Sequence, residues 1–324
     1  MNDRIGVAVI GLGAMGRNHA RVLTEIEDVD FLGALEIASS SLTEIYGRPI
    51  YRDINFLIAM RPDYCVIAVP TESHFEVAKT LMLSGINVLI EKPVTNNVIE
   101  ANELIQIAEE NKLICGVGHI ERYNSALIEM KKLLDSNSLG KIFQISTFRQ
   151  GPFPKRILDV GVVKDLATHD IDAVMWLTQA GYQRLETFGQ KIGIGEHEDL
   201  IVSSAIVGNG IIINHQVNWI NPVKTRQISI LGEKGCYVAD LLTSDLTYFE
   251  HGQSFSNWPE IQNLRGSTEG LVTRYSFEKS EPLKTEHMVF ISAILSRNLQ
   301  HVVTLESATE TLKVAELMIE QLKN

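Results

Sequence analysis

Ile5-Gly6-Val7-Ala8-Val9-Ile10-Gly11-Leu12-Gly13-Ala14-Met15-Gly16 decides the fold. A short β-forming apolar run passes directly into Gly-x-Gly-x-x-Gly, and a helical pattern, Ala14–Ile26, follows. A glycine-rich turn alone is a weak signal, because such turns also arise for structural reasons. Between a strand and a helix it acquires chemical meaning. Gly11 permits the tight turn, Gly13 lets a pyrophosphate approach the backbone, and Gly16 lets the helix pack on the strand. The helix N-terminus then offers N–H groups and partial positive charge to the anion. Glu36 stands 20 residues after Gly16, at the end of the second apolar run. A carboxylate there accepts hydrogen bonds from an adenosine ribose and repels a 2′-phosphate. No arginine follows at once in Ile37-Ala38-Ser39-Ser40, which favours NAD over NADP.

Outward from this stretch, β-rich runs alternate with helical patterns. Phe31–Glu36, Tyr64–Val69, Asn87–Ile90 and Leu113–Val117 read as strands; Ile54–Met60, Ser73–Ser84 and Val98–Glu110 read as helices. Ser73 with Glu76 has the spacing of a capping box. Apolar strands separated by helices imply βαβ units and a doubly wound parallel sheet, which binds ligands beyond the strands' carboxyl ends. After about residue 120 the texture changes. Helices at Ser125–Asp135 and Asp165–Thr178 flank a strand at Ile142–Arg149. Strand-like runs follow at Arg184–Ile192, Leu200–Val207, Gly210–Trp219, Arg226–Leu231, Cys236–Asp240 and Leu246–Glu250. Gly208-Asn209-Gly210 and Gly232-Glu233-Lys234-Gly235 join antiparallel neighbours. Helices at Glu286–Arg297 and Ser307–Lys323 close the chain. The fold class is therefore α/β: a parallel-sheet domain over 1–119, then an α+β domain over 120–324 with a large, mostly antiparallel open sheet. The last helix is expected to pack back on the first domain.

The 324 residues suffice for about two domains. With 45% hydrophobic residues the chain is too apolar to remain unfolded. The net charge of -11 argues against nucleic acid and anionic membrane as partners. No run approaches the roughly 20 apolar residues of a membrane span. Cys65, Cys115 and Cys236 form no CxxC pair. Cys65 and Cys115 sit in apolar runs and read as buried small hydrophobes. An odd cysteine count without a framework fits a reducing compartment, so a cytoplasmic location is expected.

Two further clusters carry chemistry. Glu91-Lys92-Pro93 ends the fourth apolar strand, at the edge of the expected ligand crevice. A lysine held there can hydrogen-bond a substrate hydroxyl, and burial would ease loss of its proton. Lys164-Asp165-Leu166-Ala167-Thr168-His169-Asp170-Ile171-Asp172 places Asp165, His169 and Asp172 at i, i+4 and i+7, one face of a helix. An imidazole with carboxylates to orient it suits proton transfer. No further His or Cys stands nearby at ligand spacing, so no metal site is expected.

Together these residues resemble the glucose–fructose oxidoreductase / inositol dehydrogenase / rhizopine-catabolism (Gfo/Idh/MocA) family over nearly the whole chain. The resemblance runs through Val7–Gly16, Val66-Ile67-Ala68-Val69-Pro70-Thr71-Glu72-Ser73-His74, Glu91-Lys92-Pro93, and Asp165, His169 and Asp172. It implies an N-terminal Rossmann domain. It also implies that Lys92 and His169 are the catalytic pair, with Asp165 helping to place the sugar. The cofactor would lie on Gly11, Gly13, Ala14, Met15, Gly16, Glu36, Val69, Pro70, Thr71, His74, Glu91 and Lys92. A narrower resemblance, to UDP-N-acetylglucosamine 3-dehydrogenases, rests on Gly118–Asn124, Gly151–Arg156 and Asp159–Asp170. Ser125 departs from the proline usual in that branch. Arg122, Arg149 and Arg156 are candidates for a diphosphate, since a guanidinium matches paired phosphate oxygens. Each arginine taken singly also reads as an ion-pair partner.

The implied reaction moves a hydride from a sugar hydroxyl carbon, C3 of UDP-N-acetylglucosamine or a related nucleotide sugar, to the nicotinamide. His169, or Lys92 in its neutral form, takes the hydroxyl proton. Two alternatives stay open: a dehydrogenase of a free sugar, sugar phosphate or inositol, and a non-catalytic dinucleotide-binding sensor. The antiparallel sheet, with one face left free and Trp219 and Trp258 as candidates to lie in it, is expected to form a homodimer or homotetramer.

Overall fold

A computed structural model describes residues 4–38, 42–153, 160–193, 197–252 and 269–323. The chain divides into two compact units, Met1–Ile120 with Glu281–Lys313, and Glu121–Ser280 with Val314–Asn324.

In the first unit the strands are β1 (Ile5–Ile10), β2 (Val29–Leu35), β3 (Glu44–Ile45), β4 (Arg48–Tyr51), β5 (Tyr64–Ile67), β6 (Asn87–Glu91) and β7 (Cys115–Gly118). They form one sheet in the order β3-β4-β2-β1-β5-β6-β7, parallel except for the β3–β4 hairpin. From β1 the chain builds outward to β4, then returns to β5 on β1's other side. That reversal is the switch point where such sheets hold ligands. The helices are α1 (Ala14–Thr24), α2 (Ile54–Ala59), α3 (His74–Leu83) and α4 (Val98–Asn111). Ser73 makes no side-chain cap to α3. A turn of 3-10 helix at Thr71–Ser73 leads straight into α3 and holds Ser73 itself in helical conformation, so no capping box forms.

The core of this unit joins Val7, Val9 and Val66 with α1's Leu23 and with Leu283, Phe290, Ile291 and Ala293. Those last four lie on α7 (Pro282–Ser296). The expected division at residue 119 therefore needs correcting, because 281–313 returns to the first core. The final helix, α8 (Leu305–Gln321), changes unit between Lys313 and Val314. Cys65 and Cys115 are buried thiols in this unit, and burial pushes Cys115 up to about 12.

The second unit has the helices α5 (Ser125–Asp135) and α6 (Thr168–Thr178). Its strands are β8 (Ile142–Pro152), β9 (Tyr182–Gln190), β10 (Leu200–Val207), β11 (Ile211–Asn218), β12 (Ile220–Gly232), β13 (Gly235–Asp240), β14 (Asp245–His251) and β15 (Glu269–Arg274). The eight strands run in the order β15-β14-β13-β12-β8-β11-β10-β9, antiparallel except where β8 meets β11. Both glycine-bounded turns join antiparallel strands as expected. Alternate residues of β10 (Ile201, Ser203, Ala205, Val207) point inward. Ala205 and Val207 share a core with α5 and α6, and Ile201 packs with Met318 of α8. On the opposite face Phe188, Val202 and Ile212 are exposed. Trp219 is not on that face: it is buried, edge-on to Phe153. Trp258 lies outside the described residues.

Candidate active site

The cofactor end of the first unit is built from the loops after β1, β2, β5 and β6. Gly11 has φ +88°, and a Cβ there would lie 2.6 Å from the carbonyl oxygen of Ala68. A Cβ on Gly16 would lie 1.9 Å from the oxygen of Gly11, whereas one on Gly13 would meet nothing within 4 Å. The turn is therefore closed against β5 and α1 and open at Gly13. That is the shape a pyrophosphate needs above a helix N-terminus. Glu36 stands at the end of β2. One carboxylate oxygen accepts the N–H of Leu12 at 2.8 Å and the other that of Ala38 at 2.8 Å. It thus ties the glycine loop to its own loop, and its remaining lone pairs can receive ribose hydroxyls. These residues fit a dinucleotide: Gly11–Gly16 for the diphosphate, Glu36 for the ribose.

Arg52 also lies at this loop. Its guanidinium donates to the carbonyls of Glu36 (2.5 Å) and Ala38 (2.9 Å). Reading only the residues after Glu36 missed this arginine, because β4 brings it in from 16 positions away.

Of the loop after β5, Val69 and Thr71 are half-buried and Pro70 is exposed. His74 is buried. Its Nδ1 lies 2.9 Å from the carbonyl oxygen of Pro93, and its Nε2 lies 3.0 Å from that of Val69. His74 therefore staples the loop after β5 to the lysine turn. Burial lowers its pKa from the ordinary histidine value, against the pull of the two carbonyls.

Lys92 is half-buried, and its own N–H donates to Glu91 Oε2 at 3.1 Å. Glu91 Oε1 is 2.9 Å from Nε2 of His19. Burial acts to raise the Glu91 carboxyl, but the His19 hydrogen bond, the Lys92 charge and the Lys92 backbone N–H prevail and hold it below the usual carboxylate value. His19 escaped the sequence reading. The only signal was a histidine on the buried side of the helix that the glycine loop opens.

In the second unit, Asp165 and His169 are half-buried, but they do not lie on one regular α-helix. Val163–Ala167 forms a π turn ahead of α6. Such wider turns recur at functional sites. The turn is anchored by Glu198, whose carboxylate accepts the Val163 N–H at 3.1 Å while its backbone carbonyl accepts that of Val162 at 2.9 Å. Asp172 corrects the one-face expectation. It is fully buried and holds the Arg122 guanidinium in two hydrogen bonds, to Nε at 2.8 Å and Nη2 at 2.6 Å.

Arg149 also has carboxylate partners. It is buried between Asp170 (2.7 Å) and Glu121 (2.7 Å). Burial would lower its pKa, but the two carboxylates outweigh that and keep it charged. Both arginines are engaged by carboxylates within their own unit, as the ion-pair reading has it. Arg156 lies outside the described residues. Among the described residues no group of three or more His, Cys, Asp or Glu is placed to hold a metal. No described helix is long and apolar enough to cross a membrane.

Residues 5–119 match the oxidoreductase family with an NAD-binding Rossmann fold, and 127–238 match the GFO/IDH/MocA C-terminal domain. The chain belongs to the GFO/IDH/MocA family. It is therefore an oxidoreductase whose first unit is an NAD-binding Rossmann domain. A UDP-N-acetylglucosamine 3-dehydrogenase of Acidithiobacillus ferrooxidans is 28% identical over 288 residues, 88% of this chain and 87% of that one. A solved structure of that description from the same organism superposes with a TM-score of 0.87 at 24% identity, over 99% of this chain and 98% of the other. At that identity the likeness is one of fold. An inositol 2-dehydrogenase of Saccharopolyspora erythraea is 28% identical over 181 residues, 53% of each chain.

Proposed function

We propose that this protein is an NAD-dependent dehydrogenase of a nucleotide sugar, oxidising the C3 hydroxyl of UDP-N-acetylglucosamine or a close relative to a ketone. The supporting observation is Lys92, anchored just past β6, a strand that β5 separates from β1 and its glycine turn in the same parallel sheet. The similarity to a UDP-N-acetylglucosamine 3-dehydrogenase over 88% of the chain supports the substrate. Bound NAD+ supplies the hydride acceptor. Gly11–Gly16 and Glu36 orient it, and Glu36 disfavours a 2′-phosphate. Of Lys92 and His169, one takes the hydroxyl proton and the other hydrogen-bonds the oxygen as charge develops. An imidazole is the better base near neutral pH than an ammonium that must first lose its proton. Asp165 orients the sugar.

A second reading, dehydrogenation of inositol or of a sugar without a nucleotide, is favoured by one observation. Arg122 and Arg149 are committed to carboxylates, so neither stands ready for a diphosphate. Nicotinamide reduction measured with UDP-N-acetylglucosamine, glucose, myo-inositol and UDP alone separates the readings. Lys92→Ala and His169→Ala should each lower turnover ~100-fold or more while NADH binding stays within about threefold. Full turnover in both variants would falsify the assignment. Absence of turnover with every substrate despite NADH binding would favour a non-catalytic sensor.

We also infer self-association through the outward sheet face bearing Phe188, Val202 and Ile212, as a homodimer or homotetramer. Sedimentation of the wild type and of Phe188→Asp checks this; a monomeric wild type refutes it.

A further inference from the structure

Behind the lysine turn, the first unit buries a line of polar side chains that hydride transfer does not call for. Tyr64 Oη lies 3.0 Å from His287 Nδ1. His287 Nε2 lies 2.9 Å from His19 Nδ1, and His19 Nε2 lies 2.9 Å from Glu91 Oε1. Tyr64, His287 and His19 are fully buried. The residues come from β5, α7, α1 and β6, and His19 and His287 are 268 positions apart. A buried polar group must be hydrogen-bonded or costs stability, so four elements converging on one line is a specified arrangement.

The proton order follows from the donors available. A phenol must donate its O–H, and among the described residues the acceptor of Tyr64 is His287 Nδ1. The His287 proton is then on Nε2 and points to His19 Nδ1. The His19 proton is in turn on Nε2 and points to Glu91. The line runs one way, from an uncharged phenol to a carboxylate. Its other charged neighbours agree with that direction. Burial holds the Tyr64 phenol well above its ordinary value and His287 well below its own, so both stay uncharged. Glu286, one residue before His287, is buried without a hydrogen-bond partner for either carboxyl oxygen among the described residues. Burial, and then the nearby Glu91, raise it well above the carboxylate range, so Glu91 is the one anion of the group. The free oxygen of that anion receives the backbone N–H of Lys92.

We propose that Tyr64, His287 and His19 are positioning residues: their one-way hydrogen-bond line holds the Glu91 carboxylate, and through it the turn that carries Lys92, in a single geometry. The proposal rests on Lys92 acting in catalysis, but the line also has consequences that need no substrate. Histidine-selective nitrogen-15 NMR of the whole protein should find both His19 and His287 protonated on Nε2. A His287 proton on Nδ1 overturns the proposal.

The second measurement is the rate of Lys92 acetylation by acetic anhydride, followed by peptide mass spectrometry and normalised to exposed Lys132. His287→Leu should change that rate about threefold or more, and His287→Gln, which keeps a donor and an acceptor, should restore most of it. An unchanged Lys92 rate in folded His287→Leu overturns the proposal. Should His287→Leu fail to fold, Tyr64→Phe carries the test: loss of the first donor should give His287 a mixture of tautomers, and an unchanged tautomer overturns the order. With an oxidised sugar in hand, His287→Leu should lower kcat ~10-fold or more while NADH affinity stays within about threefold. Absence of turnover in the wild type would count against the sugar reading alone, since the acetylation rate and the tautomers judge the line independently.

Discussion

The two units bury polar side chains in contrasting ways. In the first, Tyr64, His287 and His19 form a hydrogen-bonded file ending at one carboxylate, Glu91, and His74 bridges two backbone carbonyls. In the second, Arg149 sits between Glu121 and Asp170, and Arg122 is clasped by Asp172. Hydrogen bonds between uncharged groups are directional, so the first arrangement suits holding a backbone turn in register. Opposed charges in a low-dielectric interior suit holding elements together, at a large cost if one partner is lost. A buried arginine near a candidate base is thus a poor guide to an anionic ligand when its carboxylates come from its own unit.

The largest test of this contrast is Arg149→Met. Removing the cation leaves Asp170 and Glu121 facing each other, and such losses cost about 3–5 kcal/mol. Urea unfolding should show that loss directly. A variant of wild-type stability with a raised KM for a UDP-sugar would break the comparison and return Arg149 to the ligand.

Acid sharpens the same comparison. His215 is buried on β11 between Thr147 (2.7 Å) and Tyr182 (2.7 Å), and burial, then Arg149, lowers its pKa to about 3. The unfolded chain takes up the proton near pH ~6.5, whereas the folded protein refuses it until about pH 3. As the pH falls through that window the unfolded state is favoured by up to ~1.4 kcal/mol per pH unit, or roughly 2–3 kcal/mol by pH ~4.5. His215→Gln should flatten the fall of unfolding free energy with pH by that amount. An identical slope in the variant would mean that the ring is not held neutral.

The same contrast explains which parts were legible in the sequence. Strands such as β1, β5 and β10 are apolar runs bounded by turn residues, and local pattern suffices to find them. The β3–β4 hairpin is two to four residues a strand around Tyr46-Gly47, too short and polar to carry a period. β12 begins six residues before the expected Arg226. Pro222 and a register irregularity between Ile220 and Thr225 hide its first part. The positions of Glu36 and Lys92 were legible because each stands at a strand end. His19 and His287 were not, since only the fold brings them together. The carboxylate partners of Arg149 were hidden for the same reason: Glu121 and Asp170 come from other elements. The π turn at Val163–Ala167 leaves no periodic trace, so the α-helical spacing of Asp165, His169 and Asp172 misled.

The smallest expected effect concerns His74. Both of its ring nitrogens face carbonyl oxygens, yet a buried neutral ring carries only one proton, so it can satisfy one carbonyl fully at any moment. His74→Leu therefore removes about one hydrogen bond's worth of stability, roughly 1–2 kcal/mol, and frees the Val69 and Pro93 backbones together. His74→Gln keeps a donor of similar reach and should recover part of that loss. If the ring only fills space, the leucine variant should be the more stable and NADH affinity should not move. If it staples the two loops, glutamine should be the more stable and leucine should weaken NADH binding several-fold, about 1 kcal/mol. The order of the two variants, more than the size of either effect, decides whether uncharged hydrogen bonds hold these turns.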